Sequence, residues 1–130
     1  MAVIVYNKNH EEHYGDNVFY IGRGSVFGNP FTHIKDRETK AVFVVENRDK
    51  AIDLYEPLFD KMYECDEEFK NEFDKMYEMY KEGQDIYLGC YCKPLRCHGD
   101  IIEKKLIQFS MKEKIKRAMN CLLYTSDAAD

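Results

Sequence analysis

The chain is predicted to be α/β: a small Rossmann-like three-layer sandwich with a short, mostly parallel sheet and an inserted helical pair. Three observations predict this. Short apolar runs at 2–6, 18–22 and 85–92 read as strands. Two amphipathic helical runs lie between the second and third of these, and another follows the third. Strands alternating with helices favour parallel pairing through crossovers. At 130 residues the chain is expected to form one domain, too short for a full doubly wound sheet.

Residues 2–6 form the first apolar run, and the polar 8–17 stretch that follows carries turn chemistry at Gly15-Asp16-Asn17. The second strand, 18–22, enters a loop in which Gly22, Gly24 and Gly28 imply close backbone approach. Residues 41–45 read equally as a strand or as an apolar loop packed on the core. Asn47 is a suitable N-cap for a helix over 48–64 with Ile52, Tyr55, Leu58, Phe59 and Met62 on its apolar face. Pro57 within it predicts a kink or a late start. Asp66 caps a second helix bearing Phe69, Phe73, Met76, Tyr77 and Tyr80, and Gly83 is its stop. Such an aromatic stripe reads as core. The 85–92 run alternates Ile86, Leu88, Cys90 and Cys92 against Tyr87, Gly89 and Tyr91, as a strand does. A last helix over about 98–117 carries Ile101, Ile102, Leu106 and Phe109, and its 112–117 end reads as a solvated basic face.

Composition narrows the partners. A net charge of −5 gives no broad attraction to nucleic acid, so direct nucleic-acid binding is not expected. No apolar run approaches the ~20 residues of a membrane span, and no membrane partner is expected. The opening residues read as a strand rather than a signal peptide. With five cysteines, reduced thiols and a cytoplasmic location are expected. Residues 121–130 resemble translated sequencing-adapter read-through more than a native tail, which leaves 1–118 as the single α/β domain. Without Asp127 and Asp130 the net charge of −5 becomes −3.

Two stretches carry chemistry. In the first, Cys90-Tyr91-Cys92-Lys93-Pro94-Leu95-Arg96-Cys97-His98-Gly99-Asp100 packs thiols, an imidazole, cations and a carboxylate into a strand-to-helix turn. A helix beginning near His98 would direct free backbone N–H groups into that turn and favour an anion. Lys93 and Arg96 would add positive charge, and His98 and Asp100 directional hydrogen bonds. The structural alternative has Asp100 charging the helix start while Cys90 and Cys92 fill the core. Zinc is disfavoured, because Cys-x-Cys followed by Cys-His crowds four ligands into one turn, and His10 and His13 could help only if the fold brought them near. Cys97 beside a helix start is a weak candidate nucleophile. The phosphatase-like Cys90–Arg96 spacing lacks the glycines of a phosphate cradle.

The second stretch is Tyr20-Ile21-Gly22-Arg23-Gly24-Ser25-Val26-Phe27-Gly28-Asn29-Pro30-Phe31. Arg23 suits phosphate or carboxylate. Ser25 and Asn29 suit hydroxyls or base edges, Tyr20, Phe27 and Phe31 suit a planar ring, and Gly24 allows backbone approach. The stretch is neither a Walker loop nor a dinucleotide fingerprint. Its structural alternative is a turn whose Asn-Pro-Phe plugs the core.

Together these stretches, with Ala51-Ile52 and Tyr55 between them, resemble domain-of-unknown-function family 4326. Its members read IGRxSxxGNPF and LxCWCxPxxCHGDVL. The resemblance covers about residues 2–110. This chain carries Tyr91 where Trp is usual, and lengthens the central helical region. The resemblance implies a small intracellular protein of a kind common in phages and mobile elements, with no settled catalytic activity. It is similar to Rossmann-like nucleotide-handling domains.

The expectation is a protein that binds a small nucleotide-type or phosphate-bearing ligand through Tyr20, Arg23, Gly24, Ser25, Phe27, Asn29, Phe31, Cys92, Lys93, Arg96, Cys97, His98, Gly99 and Asp100. In a phage this would be a sponge for a host nucleotide immune signal, such as a cyclic dinucleotide or an ADP-ribose derivative, held in the host cytoplasm. No cofactor, metal or catalytic residue is assigned, and a homo-oligomer is admitted. The alternatives are a nucleotide-processing hydrolase or transferase using Asp100 with His98, or Cys97, and a protein-interaction module built on the Tyr/Phe-rich helices.

Overall fold

The computed structural model describes residues 2–22, 25–32, 43–91 and 95–129, with the backbone alone for 31–32, 43–44 and 123–129. Arg23, Gly24, Cys92 and Lys93 lie outside the described residues. The elements run β1 (Val3–Asn7), β2 (Val18–Tyr20), β3 (Phe31–Thr32), β4 (Phe43–Val44), α1 (Arg48–Cys65), α2 (Glu67–Lys81), β5 (Ile86–Cys90) and α3 (Gly99–Ala129). The molecule is α/β, as the alternation of strand and helix patterns predicts.

β5 is the centre of the main sheet, in the order β1-β5-β2. Both neighbours pair with it in parallel, Val5 opposite Leu88 and Phe19 opposite Leu88 from the two sides. β3 and β4 form a separate parallel pair, so the ambiguous 41–45 segment contains a short strand. The register assigns each residue to a face. Val5, Phe19, Ile21, Ile86, Leu88 and Cys90 face the helices, and the buried residues of α1, α2 and α3 join them in one cluster. Tyr6, Tyr20, Tyr87 and Gly89 occupy the other face.

Among the described residues, all three helices therefore lie on one face. On the other face the ten-residue connection 8–17 crosses β5, where His13 stacks on Tyr87 (4.3 Å) and meets Tyr6 edge-on (4.6 Å).

Both predicted caps are in place. The Lys50 amide donates to Asn47 Oδ1 (2.8 Å), and the Phe69 amide donates to Asp66 Oδ1 (3.1 Å). α1 starts at Arg48 despite Pro57, because the Asn47 cap satisfies its first turn, so the late start is not observed. The α2 stripe is buried throughout, with Phe73 and Met76 fully enclosed. Phe59, Phe69, Phe73 and Phe109 meet edge-to-face at 5.0–5.1 Å, a favourable aromatic geometry. Residue 83 has φ +88°, where only glycine sits without strain, and it ends the hairpin of α1 and α2.

α3 continues to Ala129, well past the end predicted near residue 117. Its first half is tied to α1 by cations. Buried Lys105 reaches Asp60 (2.8 Å) and Glu56 (3.4 Å), and Lys104 also binds Glu56 (2.9 Å). Lys104, with Lys105 beside it, holds the Glu56 carboxyl below its ordinary range. A carboxylate depressed in the folded state stabilises above its unfolded pKa, and that contribution is lost as pH falls through the folded value. The urea midpoint should therefore drop as pH is lowered below about 4.5. Glu56→Gln should flatten that part of the profile, measured by denaturation at a series of pH values.

Candidate functional site at the carboxyl edge of the sheet

The carboxyl ends of β1, β2 and β5 lie along one edge, and the chain leaves them in different directions. After β1 it passes over the tyrosine face. After β5 it turns onto the helical face and becomes α3. Divergence between adjacent parallel strands opens a crevice at their carboxyl ends, the usual ligand position in an open α/β sheet.

The β5–α3 turn is locked inward. His98 is buried, and its Nε2 lies 2.6 Å from the Ile21 carbonyl at the end of β2. The Nε2–H tautomer makes this a donated hydrogen bond. The imidazole edge packs 4.9 Å from the Tyr55 ring. Gly99 follows in close contact with the sheet, since a Cβ there would fall 2.8 Å from Ile21 Cδ1 and 2.9 Å from Val5 Cγ1.

The predicted anion cradle of open α3 amides does not form. The Gly99 amide donates to Cys97 Sγ (3.4 Å), and those of Asp100 and Ile101 donate to the carbonyls of Cys97 and His98 (3.0 Å each). Asp100 Oδ2 accepts from the Cys97 amide (3.3 Å) and places its charge at the positive end of the helix. Arg96, at the rim, is held by Asp49 (3.1 Å) and Asp53 (2.9 Å) of α1.

The thiols are enclosed. Cys90 is fully buried and its Sγ donates to the Tyr6 carbonyl (3.4 Å). Cys97 is 1% exposed, with its sulfur 3.8 Å from His98 Nδ1. A thiol beside an imidazole is the pairing used for nucleophilic catalysis, but burial of both closes it to a substrate. Among the described residues no three His, Cys, Asp or Glu side chains are grouped to hold a metal ion.

The glycine-rich loop is likewise pinned from below. Ser25 Oγ donates to the Gly22 carbonyl (2.6 Å) and closes a turn. Asn29 is buried and donates to the Ala51 carbonyl (3.0 Å). The Tyr55 hydroxyl donates to the Phe27 carbonyl (2.7 Å). Phe27 is 2% exposed and packs edge-on against Phe69 (5.2 Å), so its ring belongs to the core rather than to a ligand-facing surface. The backbone of Phe31 lies in β3.

Groups at the edge remain accessible. Tyr20 and Tyr91 are 38% and 53% exposed, with centroids 6.2 Å apart and planes at 71°. Lys8 extends over the Tyr20 ring, Nζ 4.8 Å from its centroid. Tyr20 folds back over Gly22, where no Cβ would fit. Beside β2 a groove of about 490 Å³ is lined by Asp16, Tyr20, Ser25, Glu68, Glu72 and Lys75. Its carboxylates make it unsuited to an anion, so the cationic side of Tyr20 is the Lys8 side. Of the predicted residues, Tyr20 and Ser25 share this edge, while Asn29, Cys97, His98 and Gly99 lie beneath it. The sequence reading missed Lys8 as a site residue and Tyr55 as the hydroxyl that anchors the loop. Both lie outside the two motifs, and Tyr55 is indistinguishable in sequence from an apolar core position.

This edge defines a class: a small parallel α/β protein with an aromatic and cationic rim. The family model for the domain of unknown function DUF4326 matches residues 4–108, and the chain belongs to that family. No curated protein and no solved structure matches it.

The loop-to-helix anchor has a measurable consequence. Tyr55→Phe strands the buried Phe27 carbonyl and should cost about 1–3 kcal/mol. Gly99→Ala forces a methyl against fully buried Ile21 and the β-branched Val5 and should also cost about 1–3 kcal/mol. Urea denaturation of each variant measures both.

Proposed function

We propose that the protein binds a small nucleotide-type ligand at the carboxyl edge of its sheet and holds it without turnover. The observation that carries this reading is the gathering of Tyr20, Tyr91 and Lys8 where the chain diverges after β1 and β5. Two exposed aromatic rings at an open angle receive a planar base, and stacking tolerates any base because each has a π face. Lys8 supplies charge for a phosphate on the same side. Arg23 and Lys93, which follow Gly22 and Tyr91 closely in the chain, would add to it.

Sequestration is favoured over catalysis because the candidate reactive groups are enclosed. Cys97 and His98 are buried, and the Asp100 carboxylate accepts a backbone hydrogen bond. In a phage, such a protein would capture a host nucleotide immune signal, a cyclic dinucleotide or an ADP-ribose derivative.

Calorimetry against cyclic dinucleotides and ADP-ribose derivatives tests this, with chromatography of the ligand recovered after denaturation. Saturable heat and intact ligand are expected. Tyr91→Ala should weaken binding by about 1–2 kcal/mol, roughly tenfold, and Lys8→Ala should weaken phosphorylated ligands selectively. An absence of heat with every ligand at about 100 μM protein, where a Kd near 1 μM would be plain, rejects the reading. Conversion of the ligand rejects the sponge in favour of an enzyme.

A further inference from the structure

We propose that the outward face of α3 docks on the surface of a bilayer containing anionic phospholipid. This contact is independent of the small-ligand site.

Ile107, Met111, Ile115 and Met119 are 41%, 56%, 60% and 54% exposed. They are spaced four residues apart, which places them on one stripe of a helix. That stripe lies nearly opposite Ile102, Leu106 and Phe109, the residues through which α3 joins the core. α3 is thus apolar on two faces, and only one is covered by the protein. Scattered exposed aliphatics need no explanation, but a continuous stripe marks a contact surface.

The charges around the stripe select the occupant. Lys112, Lys114, Lys116 and Arg117 are all exposed. At about 100° per residue, Lys114 borders one side of the stripe, and Lys112 leaves the helix at the other with its ammonium over the Phe109 ring (5.9 Å), Lys116 lying beyond it. Glu113 is turned away, bound to the Tyr77 hydroxyl (2.6 Å) and to Lys81 (3.5 Å) on the body side. The outward surface is therefore apolar along its middle and cationic along its margins. A second copy seated there would set lysine against lysine. The α1–α2 hairpin, whose segment 46–82 carries about twice as many carboxylates as cations, packs on the opposite side of α3.

A lipid surface satisfies both chemistries at once. Acyl chains receive the aliphatic stripe, and anionic headgroups receive lysines whose stems run along it. The polarity of the molecule orients it, with α3 against the surface and the acidic hairpin away from it. The expectation of no membrane partner rested on the lack of a spanning run. No described helix is long and apolar enough to cross a membrane, and a helix lying in the interface does not need to be.

The test is flotation of the full chain with vesicles of phosphatidylcholine alone, or with about a third phosphatidylserine, at low and high salt. The expected result is recovery with the anionic vesicles only, falling as salt rises. Ile115→Asp and the double variant Lys112→Glu, Lys114→Glu should each lower the bound fraction at least tenfold. Both alter exposed positions, and circular dichroism verifies folding. If Ile115→Asp unfolds, the lysine variant decides. Failure of the wild type to float with anionic vesicles overturns the proposal, as does binding unaffected by these substitutions. Vesicle-free self-association abolished by Ile115→Asp, or selective binding of an acidic peptide helix in place of vesicles, also overturns it. None of these outcomes bears on ligand heat at the Tyr20–Tyr91 edge.

Discussion

The joint between the end of β2 and the start of α3 sets the rest of the molecule. The His98 imidazole on the Ile21 carbonyl fixes where the strand stops and the helix begins. Gly99 then lets the helix backbone close on Val5 and Ile21. β1, β2 and α3 are thereby held together around β5. The contact is possible only because residue 99 has no side chain and residue 98 has a donor of the right reach. Burial raises the value of that hydrogen bond, because neither partner has water as an alternative.

The same joint explains why the motif residues divide into two populations. Polar side chains in a strand-to-helix turn can face a ligand or face inward to satisfy a backbone that has left regular structure. Here Asn29, His98 and the Tyr55 hydroxyl face inward, each on a main-chain carbonyl. Asp100 settles the helix start, and Arg96 is absorbed by Asp49 and Asp53. Accessible chemistry is thereby moved outward and sideways, to Tyr20, Tyr91 and Lys8 on the tyrosine face. The motif builds the platform, and the rim carries the recognition.

Much of the fold is written in local patterns. The Asn47 and Asp66 caps, the α2 stripe and the alternation at 86–90 rest on interactions within a few residues, and each was legible. What was not legible depends on long-range placement. The side of the sheet taken by each connection follows from the crossing of 8–17 over β5, and no local pattern encodes it. Burial of Phe27 depends on Phe69, far along the chain, so its ring looked as available as that of Tyr20. Buried Lys105 reads as a surface residue until Asp60 and Glu56 are brought beside it. Amide availability at α3 was misjudged because Cys97 folds back and supplies its own sulfur and carbonyl as acceptors.

The central position of β5 governs how the chain assembles. Among the described residues, β1 and β2 have no strand partner but β5, which follows them by more than sixty residues. Neither can enter the main sheet during synthesis until β5 itself has emerged. The α1–α2 hairpin, built from neighbours in sequence, has no such wait. Loop-closure entropy makes distant pairings late and local ones early. The N-terminal strands, with their exposed edges and tyrosines, therefore spend most of synthesis unpaired. That interval, rather than the finished structure, is where the chain is most open to misassociation.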